Sequence, residues 1–427
     1  MALPRVFVGV LAFSRVPRHA GAMTDYDVVI IGGGAAGLTL SHRMGAVNER
    51  RGRPLRTALL EPPVGEHTPP PRTWCFWEPD GGPWDDLLTA RWRDLTVVGS
   101  GGTEYRSPAD PYVYKMLRSA DMAAHVRDHA DEHLRTRALY VTGLIDGPEH
   151  ATVHATGPDG TETTLTARWV FDSRPAAMPP GGRTTLLQHF RGWFVRLPRE
   201  TFDPGSAILM DLRPEQPRTG VAFGYVLPLS SREALVEYTE FGRAALTTAE
   251  YEKALTAYCA QAGLGEVEVG ATEQGVIPMT DAPFSTRTGR RLFRIGTAGG
   301  ATRPSTGYTF SGVARQTAAV AEALAADRTP VPPVPYRSRH LTMDAIMLAA
   351  LDSGRVEGAD FFERLFAGNR LGEVLAFLDG TSRLPKELRM GLTTPVAAMT
   401  RTTLDHLWHT LRTRVGASGR DAAGADG

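Results

Sequence analysis

The stretch "DYDVVIIGGGAAGLTLSHRMG", residues 25–45, decides the fold. Its apolar run from Val28 to Ile31 predicts a buried strand, and the segment from Leu38 to Met44 predicts the helix that follows. A Gly-x-Gly-x-x-Gly loop joins the two elements. Such a loop between a strand and a helix is typical of dinucleotide sites, because the amides at a helix start attract a pyrophosphate.

The glycines and alanines of this loop are candidate cofactor-binding residues. Gly32 permits a tight turn, Gly34 lets backbone amides approach the pyrophosphate, and Gly37 lets the helix pack closely on the strand. Ala35 and Ala36 lie between them and open the helix. Together these residues predict a Rossmann-like nucleotide-binding unit.

A second strand is predicted from "RTALLEP", residues 56–62, and it ends at Glu61. An acid about 20 residues beyond the glycine loop commonly binds the adenosine ribose hydroxyls. Glu61 stands near that distance, so it is the candidate ribose-binding residue.

A second glycine loop favours a flavin over a nicotinamide cofactor. Residues 291–324 predict a strand from Leu292 to Ile295, a Gly-rich loop and a helix from about Ser311. Amides at such a helix start stabilise negative charge on an isoalloxazine ring. Arg118, at the start of another predicted helix, joins the cofactor-binding set. The second loop contributes Gly299, Gly300, Pro304, Thr306, Gly307 and Tyr308.

The fold class is α/β, with a Rossmann-like FAD-binding domain, an antiparallel β-sheet substrate domain and a C-terminal helical region. The sheet is predicted from alternating segments, and the helices follow a Pro-rich linker. The predicted divisions are a disordered or mis-assigned extension (1–23), the first part of the FAD-binding domain (24–187), the substrate sheet (188–275), the second FAD-binding part (276–325), a helical cap and substrate channel (326–415) and a disordered tail (416–427).

Composition narrows the possible partners and compartments. The chain has 427 residues, with 47 basic and 47 acidic side chains, so no net charge draws it to nucleic acid. Cys75 and Cys259 lie far apart, which argues against a disulfide framework or a metal site and fits a reducing cytosol.

No apolar run approaches the roughly 20 residues of a membrane-spanning helix. A secretory signal near the start is disfavoured because its apolar run, Val6 to Phe13, is short and weakly charged in front, and because Arg15 and Arg18 interrupt the segment that follows.

Aromatic side chains are concentrated in "RTWCFWEPDGGPW", residues 72–84. Taken alone, this stretch favours a plug between packed layers, with a ligand-binding wall as the alternative. We assign Trp74, Phe76 and Trp77 to a substrate channel as a hypothesis, and we expect Trp84 only to pack.

Several motifs occur together in a family-specific order: the first glycine loop, "RTWCFW", "LVEYTEF", "GVIPMT", "RPSTGY" and "FLDGTS". On these motifs, the chain from Tyr26 to about Val396 resembles the flavin-dependent lycopene cyclases. The resemblance implies FAD, active when reduced, with NAD(P)H as the reductant. It implies cyclisation of the linear ends of lycopene and γ-carotene to β-ionone rings without net redox change. Because lycopene resides in the bilayer and no spanning segment is predicted, we expect a cytoplasmic protein attached peripherally to the inner face of the membrane.

The family's essential acid falls on Glu237, within the motif at residues 235–239. Tyr238 stands where the family has a second acid, which puts a two-acid relay at this motif in doubt. Protonation of a carbon–carbon double bond requires a neutral acid, and apolar burial favours that form. The alternative is an exposed acid on an alternating strand, like its neighbours Glu233 and Glu240.

Membrane contact is assigned to the amphipathic segment "ADFFERLFAGNRLGEVLAFL", residues 359–378. Core packing is the alternative for the same apolar side chains. The side chains concerned are Phe361, Phe362, Leu365, Phe366, Leu371 and Leu375.

Two other functions fit the same pattern. A flavin monooxygenase acting on an apolar substrate would share the fold, since fold does not fix chemistry. A carotenoid-carrying flavoprotein would bind the polyene without turnover.

Overall fold

The computed structural model describes residues 24–423. The extension predicted at residues 1–23 lies outside the described residues, as do residues 424–427 of the predicted tail.

Elements are numbered in chain order. The strands are β1 (Tyr26–Ile31), β2 (Thr57–Glu61), β3 (Thr73–Glu78), β4 (Ala90–Trp92), β5 (Asp94–Val98), β6 (Glu104–Pro108), β7 (Val113–Arg118), β8 (Leu134–Ala138), β9 (Tyr140–Asp146), β10 (Ala151–Thr156), β11 (Glu162–Asp172), β12 (Thr185–Arg196), β13 (Ser206–Asp211), β14 (Val221–Pro228), β15 (Glu233–Gly242), β16 (Glu268–Thr280) and β17 (Leu292–Arg294). The helices are α1 (Ala35–Glu49), α2 (Ser119–Asp128), α3 (Thr248–Gln261), α4 (Phe310–Ala325), α5 (Ser338–Asp352), α6 (Gly358–Ala367), α7 (Leu371–Leu378), α8 (Leu384–Gly391) and α9 (Val396–Ala423).

A parallel layer of strands, in the order β8, β2, β1, β11 and β17, forms the nucleotide-binding unit. Strand β1 is central, and its residues from Val28 to Ile31 are buried because both faces of the layer are covered. Helix α1 connects β1 to β2 and packs beside α4. The predicted Rossmann-like arrangement is confirmed.

Strand β11 ties a small meander to this layer. Its first half pairs antiparallel with β10, while its last residues pair parallel with β1 and β17. The meander therefore returns the chain to the nucleotide-binding unit at Asp172, beside the glycine loop.

The second sheet is larger and more mixed than the sequence predicts. Its order is β16, β12, β15, β14, β13, β5 and β6, and the β13–β5 pair is parallel. Strands β5 and β6 lie within residues 24–187, which we had placed wholly in the FAD-binding domain. That assignment is wrong for these two strands, because their partners are distant in sequence. A third sheet, β3–β7–β4, completes the body of the described chain.

Helices α5 to α9 form the predicted C-terminal helical region. Helix α9 extends to Ala423, within the tail predicted from residue 416 onward. Within residues 24–423, no helix is long and apolar enough to cross a membrane.

The segment assigned to the membrane is instead part of the core. All six apolar side chains that we had named there are at most 8% exposed, and they pack against β5, β14 and their neighbours. The membrane assignment of this segment is therefore wrong. An amphipathic helix shows which face is apolar but not what covers that face.

Candidate functional site

One large cavity of about 1300 Å³ lies between the nucleotide-binding layer and the second sheet. Gly32, Gly34 and Glu61 line one end, and Glu237 and Phe241 line the other. Pockets for a drug-sized ligand span roughly 300–1,000 Å³, so this cavity has room for more than one such molecule. It brings the predicted cofactor residues and the predicted acid into one space.

The first glycine loop is built to hold an anion. Gly32 has φ of 96°, a left-handed backbone conformation that favours glycine. A Cβ at Gly37 would collide with the carbonyl oxygen of Gly32, so this glycine serves close packing. Gly34 caps helix α1 without a side-chain hydrogen bond, and the first turn carries no acid. The first amides of α1 therefore remain available to a phosphate.

Glu61 ends β2 beside the loop, where a Cβ at Gly33 would overlap its carboxylate. Burial raises the pKa of Glu61, while the charge of Arg127 lowers it. Arg127 also lines the cavity. Arg118 is exposed, with its guanidinium 5.5 Å from the ring centre of Phe194, and among the described residues it does not line the cavity. Arg127, nine positions further along the chain and near the end of α2, is the basic residue that our sequence analysis missed.

The second glycine loop contributes part of its predicted set. Thr306, Gly307 and Tyr308 line the cavity, and Gly307 has φ of 70°. Three predicted residues, Gly299, Gly300 and Pro304, are not among the described residues that line the cavity. Gly296 and Thr297, which were not predicted, do line it. Ala35 and Ala36 do line it, whereas Gly37 lies beneath the loop.

Glu237 lies on β15 with 7% of its surface exposed, facing the cavity. Burial raises the pKa of this carboxyl well above its usual range, and the neighbouring carboxylate of Glu273 raises it further. Because strand side chains alternate, Leu235 and Thr239 share its face, while Tyr238 points to the opposite side. The exposed-acid alternative is excluded by this geometry.

The other acids of β15 do not reach the cavity. Glu240 lies on the opposite face of the sheet, where the Tyr238 hydroxyl donates to it at 3.3 Å. Glu233 pairs with Arg196. Glu273, on β16, is the acid that does reach Glu237, and sequence analysis did not identify it.

A buried polar cluster adjoins Glu237. The hydroxyls of Tyr114 and Tyr225 are 2.6 Å apart, and that of Tyr308 is 3.1 Å from Tyr114. The Cys75 thiol hydrogen bonds with Tyr225. Burial raises the pKa of all four groups, so they remain neutral at ordinary pH. The predicted acid thus stands beside neutral donors in a site of low polarity.

The aromatic stretch divides between two cavities. Trp74 lines the large cavity as predicted, while Phe76 and Trp77 line a second cavity of about 510 Å³. Phe76 stacks on Phe310 at 4.1 Å, and Trp77 donates from its ring nitrogen to the Leu375 carbonyl at 3.1 Å. We had assigned both rings to a substrate channel, but neither of them lines the cavity that Glu237 lines. Both are at most 4% exposed and serve as the packing plug that was the alternative.

Other aromatic rings line the large cavity near Glu237. None of them was predicted as a wall residue, and two belong to the segment that we had assigned to the membrane. They are Phe190, Phe223, Phe241, Phe362 and Phe366.

Among residues 24–423, no group of three or more His, Cys, Asp or Glu side chains is arranged to hold a metal ion. The polar and aromatic groups that line the cavity include the Glu237 and Glu273 carboxyls and the Tyr225 and Tyr308 phenols.

The sequence pattern of the family described as "Lycopene cyclase protein" matches residues 27–404. No curated protein sequence matches the chain.

Solved structures share the fold at low sequence identity. A geranylgeranyl bacteriochlorophyll reductase-like protein from Thermoplasma acidophilum is 13% identical, with a TM-score of 0.63, over 88% of this chain and 98% of that one. A flavoprotein/dehydrogenase from Cytophaga hutchinsonii is 11% identical, with a TM-score of 0.58, over 89% and 98%. The p-nitrophenol 4-monooxygenase of Pseudomonas putida is 17% identical, with a TM-score of 0.55, over 89% and 97%. These similarities establish the shared fold.

Proposed function

The chain belongs to the lycopene cyclase family, and from this premise we propose that it is an FAD-dependent lycopene β-cyclase. The proposed substrates are lycopene and γ-carotene, whose linear ends close to β-ionone rings without net redox change. The observation that carries the proposal is Glu237, a buried carboxyl whose pKa is raised and which faces the same cavity as the two glycine loops.

The loops fit FAD. Helices α1 and α4 both begin without a side-chain cap and without an acid in the first turn, so their first amides are available for negative charge. Glu61 lines the cavity beside the first glycine loop, where its carboxylate would accept hydrogen bonds from ribose hydroxyls, and the left-handed Gly32 and Gly307 also line the cavity. When bound and reduced, FAD supplies negative charge that stabilises a carbocation in a dry pocket.

Glu237 supplies the proton that starts the reaction. Its proton moves to C2 of the linear end, the C5–C6 double bond attacks the cation at C1, and loss of a proton from C6 completes the ring. Phe223, Phe241 and Phe362 exclude water and offer aromatic faces to the cations. A raised pKa keeps Glu237 protonated, and therefore able to act as an acid, near neutral pH.

The proposal is tested by expressing the chain in a lycopene-producing bacterial host and analysing the pigments. Accumulation of γ- and β-carotene supports the cyclase. Oxygenated products would identify a monooxygenase, and unchanged lycopene bound to purified protein would identify a carrier.

The role of the reductant gives a first prediction. Oxidised enzyme is expected to be inactive without oxygen, and dithionite or reduced nicotinamide should activate it without being consumed, because ring closure moves no electrons to or from the substrate. The measurement is the number of rings formed per equivalent of reductant, which should greatly exceed one. A fixed ratio of one would refute the non-redox assignment.

Access to a bilayer-dissolved polyene requires contact with the membrane. We propose that the protein is cytoplasmic and docks on the inner membrane face through an apolar stripe on α8 and α9. Leu388 and Leu392 are 62% and 71% exposed, although they are large and apolar. Lys386 and Arg389 flank the stripe, and such residues favour an interface. The stripe comprises Leu384, Leu388, Leu392, Val396, Leu404, Leu407 and Trp408.

Liposome binding tests this surface. Leu388→Ser combined with Leu392→Ser should reduce sedimentation with liposomes several-fold at high salt, because hydrophobic docking is little screened. The matched control, Val331→Ser with Val334→Ser, changes exposed apolar residues outside the stripe and should bind normally. Equal binding by both folded variants would exclude the stripe as the anchor.

A further inference from the structure

Two carboxyl groups meet over a single glycine in the second sheet. Strand β12 runs between β15 and β16, and Gly192 is the register partner of Glu237 on one side and of Glu273 on the other. Residues directly opposite on neighbouring strands point to the same face. Both carboxyls therefore extend over Gly192 toward the large cavity, which both line.

The missing side chain of Gly192 provides the space for this pair. A Cβ at this position would lie 2.8 Å from Cγ and 3.0 Å from Oε1 of Glu237. Contacts that short are not tolerated by packed carbons, so any larger residue would displace the Glu237 carboxyl. With glycine present, a side-chain hydrogen bond joins Glu237 and Glu273.

The two acids differ in their access to water. Glu237 is buried, whereas Glu273 is half-buried on β16, the outer strand of the sheet. Val276, on the same strand, is 49% exposed and also lines the cavity. Glu273 therefore lies between the buried acid and the open edge of the sheet.

The remaining titratable groups near Glu237 are uncharged. Cys75 faces it from β3, Tyr225 from β14 and Tyr308 from the loop before α4. Burial raises the pKa of the thiol and of both phenols, so they stay neutral near pH 7. Glu273 is the second carboxyl that interacts with Glu237, both electrostatically and through a side-chain hydrogen bond.

We propose that Glu273 is a positioning residue for the proton of Glu237: the two carboxyls share one proton, and Glu273 exchanges it with water between turnovers. The inference rests on the proposed cyclase function. When the O–H bond of Glu237 breaks and a C–H bond forms at C2, the pair is left with two negative charges beside the cation. The proton that leaves C6 restores the pair, so no proton is consumed.

The test is the pH dependence of ring formation by full-length, flavin-loaded Glu273→Gln. Removing the negative neighbour lowers the pKa of Glu237, so its proton is lost at a lower pH. The alkaline limit of activity, which is the pH above which ring formation is lost, should fall by about one pH unit or more. Activity at pH values below this limit should be retained. Glu273→Asp keeps the charge and should restore the wild-type limit. Glu240→Gln, on the opposite sheet face, should leave the profile unchanged.

A second measurement separates this inference from the cyclase proposal. Infrared titration without substrate follows the carboxyl band that Glu237→Gln removes. In the wild type this band should show a protonated acid at pH 7, and in Glu273→Gln it should titrate at lower pH. If the titration of the Glu237 carboxyl shifts in Glu273→Gln but no ring forms in any variant, the cyclase proposal fails. The proposal that the two carboxyls share a proton is then still supported.

Three results would contradict the proposal that Glu237 and Glu273 share one proton. They are an ionised Glu237 at pH 7 in the wild type, an unmoved alkaline limit in folded Glu273→Gln, and an equal loss of activity at every pH. The last result would show a structural role alone.

Discussion

Replacing Glu237 by glutamine is expected to abolish ring formation while the flavin stays bound. Glutamine keeps the shape of the side chain but has no acidic proton to give to C2. General acid catalysis typically contributes roughly 10²–10⁴-fold, and here the acid starts the reaction, so the loss should be at least that large. The measurement is the amount of β-ring product formed by purified, flavin-loaded protein from lycopene.

Glu240→Gln is the matched control. It removes a carboxyl from the same strand, but from the face that contacts Tyr238 and not the cavity. We expect near wild-type product from this variant. Substantial β-carotene from Glu237→Gln would place the acid elsewhere, and Glu273 rather than Glu240 would then be the next candidate, because it shares the cavity.

Replacing Asp344 by alanine is expected to destabilise the protein by about 3–5 kcal/mol, because the partner charge of Arg303 would remain buried without compensation. Arg303 is 0% exposed, and its Nε and Nη2 donate to Asp344 at 3.2 and 3.0 Å. The Ser305 hydroxyl donates to the same carboxylate at 2.7 Å, and Arg303 also contacts the Phe377 carbonyl. The pair therefore fastens the second glycine loop to helices α5 and α7.

Chemical denaturation of the variant measures the loss, and the flavin content after purification measures the loosening of the loop. Asp352→Ala is the surface control, since its partner Arg243 is 70% exposed and such pairs contribute about 0–1 kcal/mol. Similar losses in both variants would contradict the assigned role of the buried pair.

Local patterns predicted the nucleotide-binding unit well. The apolar run, the glycines and the helix at residues 25–45 are adjacent in sequence, so their geometry follows from backbone rules that act over short distances. The position of Glu237 on a strand facing a cavity agrees with the resemblance. Strands β5 and β6 could not be placed, because nothing near them in sequence shows that β13 is their partner.

Strand alternation accounts for only part of the way in which the aromatic stretch is divided in the structure. Neighbouring residues of β3 point to opposite faces, so Trp74 and Phe76 contact one core while Cys75 and Trp77 contact another. The cavities do not follow this division, because Phe76 and Trp77 line the smaller cavity together while Trp74 lines the larger one. The two-residue period separates Trp77 from Trp74, but the position of Phe76 depends on its contact with the distant Phe310.

Glu273, the second acid, could not be predicted from the sequence for a different reason. Glu273 lies 36 positions from Glu237, and only the shared register partner Gly192 brings them together. Likewise, the apolar face at Phe362 and Phe366 is visible in the sequence, but the sheet that covers it is not. Both errors concern long-range contacts, which a single sequence does not specify.

The central claim is that ring closure begins with a proton from the enzyme and adds no oxygen. Its most direct test is a single turnover in heavy water, with reduced, pre-equilibrated enzyme in excess over lycopene and without oxygen. Mass spectrometry of the first cyclised product should show one deuterium in the ring that closes and no added oxygen. A ring without deuterium, or a product that carries oxygen, would contradict the account.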